Sequence, residues 1–158
     1  MLSGEGVVAA RRQRVSSGGP FETRFGYSRA VRVGNHVAVA GTTAIKDGAP
    51  FAPGDAGAQT RYVLEVIERA LTEASATLDD VIRYRVFLVD IADYQAVGAE
   101  LGRVFGAIRP AGTMVGNCTL VNPDLRVEIE VDAIVGSASA PSADRSQSEA
   151  IILDQTSS

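Results

Sequence analysis

One segment constrains the fold more than any other. Between Arg126 and Val135, the apolar residues Val127, Ile129, Val131, Ala133 and Val135 share one face, and Glu128, Glu130 and Asp132 share the other. A period of two marks a β-strand whose side chains point in turn to the two faces of a sheet. Such a strand needs apolar cover on one face and water or counter-charge on the other. Carboxylates two apart on a strand stand roughly 7 Å from each other and repel, so they call for cations. Arg83 and Arg85 alternate in the same way within the β-branched and aromatic run Val81–Val89. Cross-strand pairing between the two runs is the simplest solution. On that reading all five charges form an ion-paired ladder. On the other, one glutamate lies in a pocket and orients a water or acts as a general base.

A change of period supplies the apolar cover. Over Asp55–Ala74, residues Tyr62, Val63, Val66, Ile67, Ala70, Leu71 and Ala74 recur at helical spacing, with Arg61, Glu65, Glu68, Arg69 and Glu73 opposite. A second helical stripe (Tyr94, Val97, Leu101, Val104, Phe105) follows Asp90 in the N-cap position and ends at Gly106. Gly98 and Gly102 lie within it, each costing about 1 kcal/mol relative to alanine, which predicts the close approach of another backbone. Ser28–Val33, Gly34-Asn35 and His36–Ala40 predict a hairpin that ends in Gly41-Thr42-Thr43. Lys46–Pro50 reads as a turn-rich loop, Leu78-Asp79-Asp80 as a connector and Gly112–Leu120 as a strand before the turn Asn122-Pro123-Asp124. Arg12–Ser16 reads as a short edge strand, and Ser16-Ser17-Gly18-Gly19-Pro20 breaks regular structure after it.

These elements make an α+β plan: a mixed sheet of about six strands with two helices on one face. An arm at 1–19 precedes the domain at 20–136, and a polar tail at 137–158 carries the apolar patch Ala150-Ile151-Ile152-Leu153. Two helices cover only one face of the sheet, so the other predicts a second copy of the chain as its partner.

Composition narrows the chemistry. The 158 residues are 46% apolar and 22% charged, with a formal charge of −4. That balance suits one domain and argues against a nucleic-acid partner. The Arg11, Arg12 and Arg14 cluster reads as solvated charge near a terminus. One cysteine, Cys118, excludes an internal disulfide, and one histidine, His36, excludes a two-histidine zinc site. Cys118 reads as an inert thiol, and no Gly-x-Ser-x-Gly elbow accompanies a triad. No apolar run approaches the roughly 20 residues of a membrane span, and no secretory leader is visible. The expectation is a soluble cytoplasmic protein with no cofactor, no metal and no membrane partner. Gly41-Thr42-Thr43 offers N–H and hydroxyl groups at a strand end, and Tyr27 is equally suited to packing or to ligand contact. Composition and spacing alone leave the function open.

Several segments in order carry a resemblance. They are Gly26-Tyr27-Ser28-Arg29-Ala30-Val31, Gly34-Asn35 leading to Val39-Ala40-Gly41, and Gln59-Thr60-Arg61 with Leu64-Glu65. Leu78-Asp79-Asp80-Val81, Val86-Phe87-Leu88-Val89-Asp90, Phe105 with Arg109-Pro110-Ala111, and Val127-Glu128-Ile129-Glu130 complete the set. In these the chain resembles the Rid/YjgF family of reactive-intermediate (enamine/imine) deaminases. The resemblance implies a chorismate-mutase-like fold, a homotrimer and small-molecule clefts between subunits. It also implies that Glu128 positions the attacking water, that Tyr27 lines the cleft, and that an arginine after Pro-Ala grips the substrate carboxylate. Here Gly112 takes that place, followed by Thr113 and Met114, and glycine supplies none of the guanidinium fork. Either Arg24 or Arg29 replaces it, or the ligand differs. The substrate-binding set is then Tyr27, Gly41, Thr42, Gly112, Thr113 and Met114, with Glu128 catalytic. A deaminase or hydrolase of small imines or enamines is the first reading. A non-catalytic metabolite-binding or interaction trimer is the second, and an endoribonuclease the third.

Overall fold

The computed structural model describes residues 11–138. In chain order the elements are β1 (Arg12–Val15), α1 (Pro20–Phe25), β2 (Ala30–Val33), β3 (His36–Thr43), β4 (Ile45–Lys46), β5 (Ala49–Pro50), α2 (Ala56–Glu73), β6 (Val81–Leu88), α3 (Tyr94–Phe105), β7 (Ala111–Val115) and β8 (Val127–Ile134). Six strands form one sheet in the order β1-β2-β3-β8-β6-β7. All neighbours are antiparallel except β6 and β7, which run parallel across the α3 connection. The α+β plan and mixed sheet are as expected, with three helices rather than two.

The alternating segment becomes β8 in the middle of the sheet, and its apolar residues Val127, Ile129, Val131 and Ala133 are buried. Helix α2 packs on β3 and β8 and beside α3, burying Val63, Leu64, Ile67, Ala70 and Leu71. Asp55 caps it, accepting from the Ala58 N–H at 2.9 Å. The buried Gln59 donates to the Asp124 carbonyl at 2.8 Å and accepts from the Arg126 N–H at 2.7 Å. One helix side chain thereby pins the turn from which β8 starts, and with it the position of Glu128.

Where the structure departs from expectation, local chemistry gives the reason. Helix α1 occupies a stretch read as irregular: Pro20 starts it, and Gly26, at φ 74°, ends it in the left-handed region. The Lys46–Pro50 loop is a two-stranded hairpin turning on Asp47 and Gly48, both at positive φ. Strand β7 ends at Val115 instead of Leu120, because Asn117 at φ 62° leaves the extended region. Asp90 caps a short 3₁₀ turn, accepting from the Ala92 N–H, and α3 begins after it. Nothing approaches Gly98 or Gly102 in the described chain. Gly57 of α2 is the glycine at the helix–helix contact, facing Ala96 of α3. The polar tail lies outside the described residues from 139 onward, as does the arm up to residue 10.

Asp80 ties the end of β8 to the start of β6. Its buried carboxylate accepts from the Gly136 N–H at 2.8 Å, the Thr77 N–H at 2.9 Å and the Thr77 hydroxyl at 3.1 Å. Burial pushes its pKa up, but these hydrogen bonds outweigh it and hold the group below the usual aspartate value of 3.8. A depressed carboxyl pKa contributes stability that is complete above the unfolded-state value and disappears as acid titrates the folded group. Asp80→Ala is therefore expected to lower the unfolding free energy by about 2–3 kcal/mol at neutral pH. Denaturant melts of both proteins at several pH values should show the gap closing below the ordinary carboxylate range.

Candidate functional site

The ladder forms, but not with all five charges. Arg85 donates to Glu130 at 2.7 Å and to Asp132 at 3.4 Å, and His36 stands 3.7 Å from Asp132. Arg83 lies opposite Asp132 in register, beside an irregularity in the β6–β8 pairing, and makes no ion pair among the described residues. Glu128 stands outside the ladder. Its row neighbours are Phe87 on β6 and Thr43 on β3, neither a cation, and its carboxylate accepts no hydrogen bond from the described chain. Two of the three carboxylates are thus accounted for by pairing, and one is left with its lone pairs free.

The backbone beneath Glu128 is shaped to receive it. The β3–β8 register slips between Val39 and Thr42, a bulge that places Gly41 under the Glu128 side chain. A Cβ on Gly41 would fall on Glu128 Oε1 and 3.1 Å from its Cδ. The φ of Gly41 lies outside the left-handed region, so glycine is needed there for close approach rather than for backbone freedom. The half-buried Arg29 holds the bulge from the side. Its Nη1 donates to Thr42 Oγ1 at 2.7 Å, the Gly41 carbonyl at 2.9 Å and the Ala40 carbonyl at 3.3 Å. The Thr42 hydroxyl donates in turn to the Ala40 carbonyl at 2.8 Å and is buried, so it serves the bulge rather than facing an open site. The Arg29 guanidinium lies 5.9 Å from the centre of the Tyr27 ring, which is 40% exposed. Burial pushes the Glu128 pKa up, the neighbouring Glu130 charge adds to the rise, and Arg29 opposes it.

The structure thus brings Tyr27, Gly41, Thr42 and Glu128 together around Arg29. The Arg24 guanidinium lies 5.3 Å from the centre of the Phe25 ring. Gly112, Thr113 and Met114 sit on the edge strand β7, opposite Tyr84, Arg85 and Val86. Strand β6 separates β7 from β8, about 10 Å at the usual strand spacing, so within one chain these residues stand apart from Glu128. Thr113 is exposed, and Met114 packs against the core. Gly112 has its own cause: a Cβ there would run into Cζ, Oη and Cε2 of Tyr84, whose ring stacks on the buried Phe105 at 5.4 Å. No sequence period signals this pairing, which arises only when β6 and β7 lie side by side.

On the sheet face that carries the carboxylates, a concavity of about 500 Å³ is lined by Tyr27, Ser28, Ala40, Arg85, Glu130 and Asp132, among others. Glu128 lies outside its lining. Among the described residues no group of three or more His, Cys, Asp or Glu side chains is placed to hold a metal, and no helix is long and apolar enough to cross a membrane. Cys118 is half-buried, with its Sγ 3.8 Å from the Gly116 carbonyl.

Known proteins resemble this chain in sequence and in fold. The family model described as Endoribonuclease L-PSP matches residues 20–135. A Streptomyces coelicolor protein is 36% identical over 125 residues, covering 79% of this chain and 93% of its own. A RutC family protein of Pyrococcus abyssi is 34% identical over 108 residues, covering 68% of this chain and 84% of its own. The crystal structure of Rv2704 from Mycobacterium tuberculosis, a member of the YjgF/YER057c/UK114 family, superposes with a TM-score of 0.72 at 49% identity. It covers 79% of this chain and all of that one. With the ordered segments, the mixed sheet and these relatives in agreement, the chain belongs to the Rid/YjgF (L-PSP) family.

Proposed function

We propose that the protein hydrolyses a small imine or enamine-derived imine, with Glu128 as the residue that holds and deprotonates the attacking water. One observation carries this reading: Glu128 is the carboxylate of β8 that the ladder leaves unpaired, seated on Gly41 with no hydrogen bond from the described chain. A raised pKa makes it a stronger base than an ordinary carboxylate once ionised. The water oxygen bonds to the imine carbon while one proton passes to Glu128. The nitrogen takes up both protons of the water, one of them by way of Glu128, the C–N bond breaks, and a carbonyl compound and ammonia leave with Glu128 again ionised. An imine and one water are consumed, and no cofactor enters the balance.

The cleft is completed, on this reading, by a second copy in a homotrimer, whose edge strand β7 brings Gly112, Thr113 and Met114 toward Tyr27 and Glu128. The exposure of Tyr27 supports it. With Tyr84 filling the space beside Gly112, β7 offers no guanidinium to a carboxylate, and Arg29 is the arginine that stands with Glu128. The net charge of −4 and the single histidine weigh against ribonuclease chemistry.

The test is ammonia release from enzymatically generated 2-aminoacrylate and from an uncharged ketimine, with sedimentation on the same sample. Turnover above the buffer rate, lost in Glu128→Gln, is the expected result. If neither imine is consumed faster than in buffer, the non-catalytic binding reading replaces this one. A lone 16.5 kDa species would remove the shared cleft.

A further inference from the structure

We propose that Arg29 is the positioning residue of this site, a single guanidinium that locks the β3 bulge under Glu128. The inference rests on the reading of Glu128 as the working carboxylate, but its geometry is independent of any substrate. The two hydrogens of Nη1 are shared among three oxygens, those of Ala40, Gly41 and Thr42, which are the residues of the register slip. A bulge loses ladder hydrogen bonds and needs another donor to hold its carbonyls. Arg29 supplies that donor, so the height of Gly41 beneath Glu128 is set by the guanidinium.

The orientation of Arg29 is itself constrained. Two carboxylates feel its charge, Glu128 and the buried Glu22 of α1. Glu22 accepts from the Ser16 hydroxyl at 2.6 Å and from the Ser17 N–H at 3.0 Å, which anchors α1 to the chain leaving β1. The guanidinium carbon also lies over the Tyr27 ring, 5.9 Å from its centre. The other charges near Glu128 do not substitute for it. Arg85 on β6 is taken by Glu130 and Asp132, Glu130 on β8 repels, and β3 faces Glu128 with the uncharged Thr43. Lysine would keep the charge but not the planar fork.

The experiment is a carboxyl ¹³C NMR titration of the full chain, with the Glu128 resonance assigned by its absence in Glu128→Gln. In Arg29→Gln the Glu128 midpoint is expected to move to higher pH, and the Gly41 and Thr42 amide resonances to shift. In Arg29→Lys the midpoint is expected to stay near wild type while the same two amides still shift, separating the charge from the lock. An unchanged midpoint in folded Arg29→Gln overturns the influence of Arg29 on the Glu128 carboxylate. Unmoved Gly41 and Thr42 resonances in Arg29→Lys overturn the lock, and this second variant decides the matter if the first fails to fold. The titration reads the same whether or not an imine is turned over, so failure of the proposed activity leaves the positioning role standing or falling on its own result.

Discussion

Glu128→Gln is expected to reduce imine turnover by about 10²–10⁴-fold, the range for loss of a general base, while leaving the protein folded. The amide keeps the shape of the side chain over Gly41 and removes only the capacity to take a proton. The sign of the stability change follows from the raised pKa. A carboxyl that binds its proton more tightly in the folded state makes stability fall as pH rises through its titration, and the cost is complete above the folded pKa. Removing the charge lifts that cost, so thermal melting at neutral pH should place the variant level with or above wild type. In wild type, activity should fall as pH drops through the raised Glu128 pKa. Glu130→Gln should move that acid limb to lower pH, because the Glu130 charge contributes to the rise. A loss of melting temperature as large as the loss of turnover would mean that Glu128 is structural. Gly41→Ala gives a complementary check. Its new Cβ meets the flexible end of Glu128 and not backbone, so turnover should suffer more than stability.

Gly112→Arg is expected to cost about 1–3 kcal/mol of stability, the usual penalty of overpacking, and to confer no carboxylate binding. The Tyr84 ring occupies the position of the first side-chain carbon and is backed by Phe105, which is 3% exposed and cannot yield without opening the core. The pair Tyr84→Ala with Gly112→Arg should be more stable than the sum of the two single changes predicts, since removing the ring relieves the clash the arginine makes and the arginine stem fills the space the ring leaves. Denaturant melts of all four proteins measure that coupling. Additive effects would show that Tyr84 is not what keeps residue 112 a glycine. The contrast with Gly41 is instructive: both glycines make room for a side chain on the neighbouring strand, one a mobile carboxylate and the other a wedged aromatic ring.

The strongest periodicities were legible along the chain. The two-residue alternation of Arg126–Val135 placed β8 and its two faces, and the helical stripes placed α2 and α3, because both reflect the burial of one side of a regular element. The hairpin at Gly34-Asn35 and the edge strand near Arg12 were equally local. The resemblance carried by ordered short segments pointed to the family and singled out Glu128. Short elements defined by turn chemistry, α1 and the β4–β5 hairpin, were missed although Pro20, Gly26 and Asp47-Gly48 announce them, because each is too brief to show a period. Gly98 and Gly102 meet no neighbour within the described chain: an unusual glycine says that something is permitted, not what is nearby.

What the linear order determined about this protein is the set of regular elements and which side of each is apolar. Only the tertiary structure decided which carboxylate is free. Glu128, Glu130 and Asp132 are equivalent in the alternation, and they differ because Arg85 reaches two of them while Phe87 and Thr43 flank the third. The β3 bulge, the guanidinium that holds it and the Tyr84–Gly112 exchange are likewise contacts between strands distant in sequence. Their energies depend on register and side-chain reach, quantities that exist only once the strands are laid side by side.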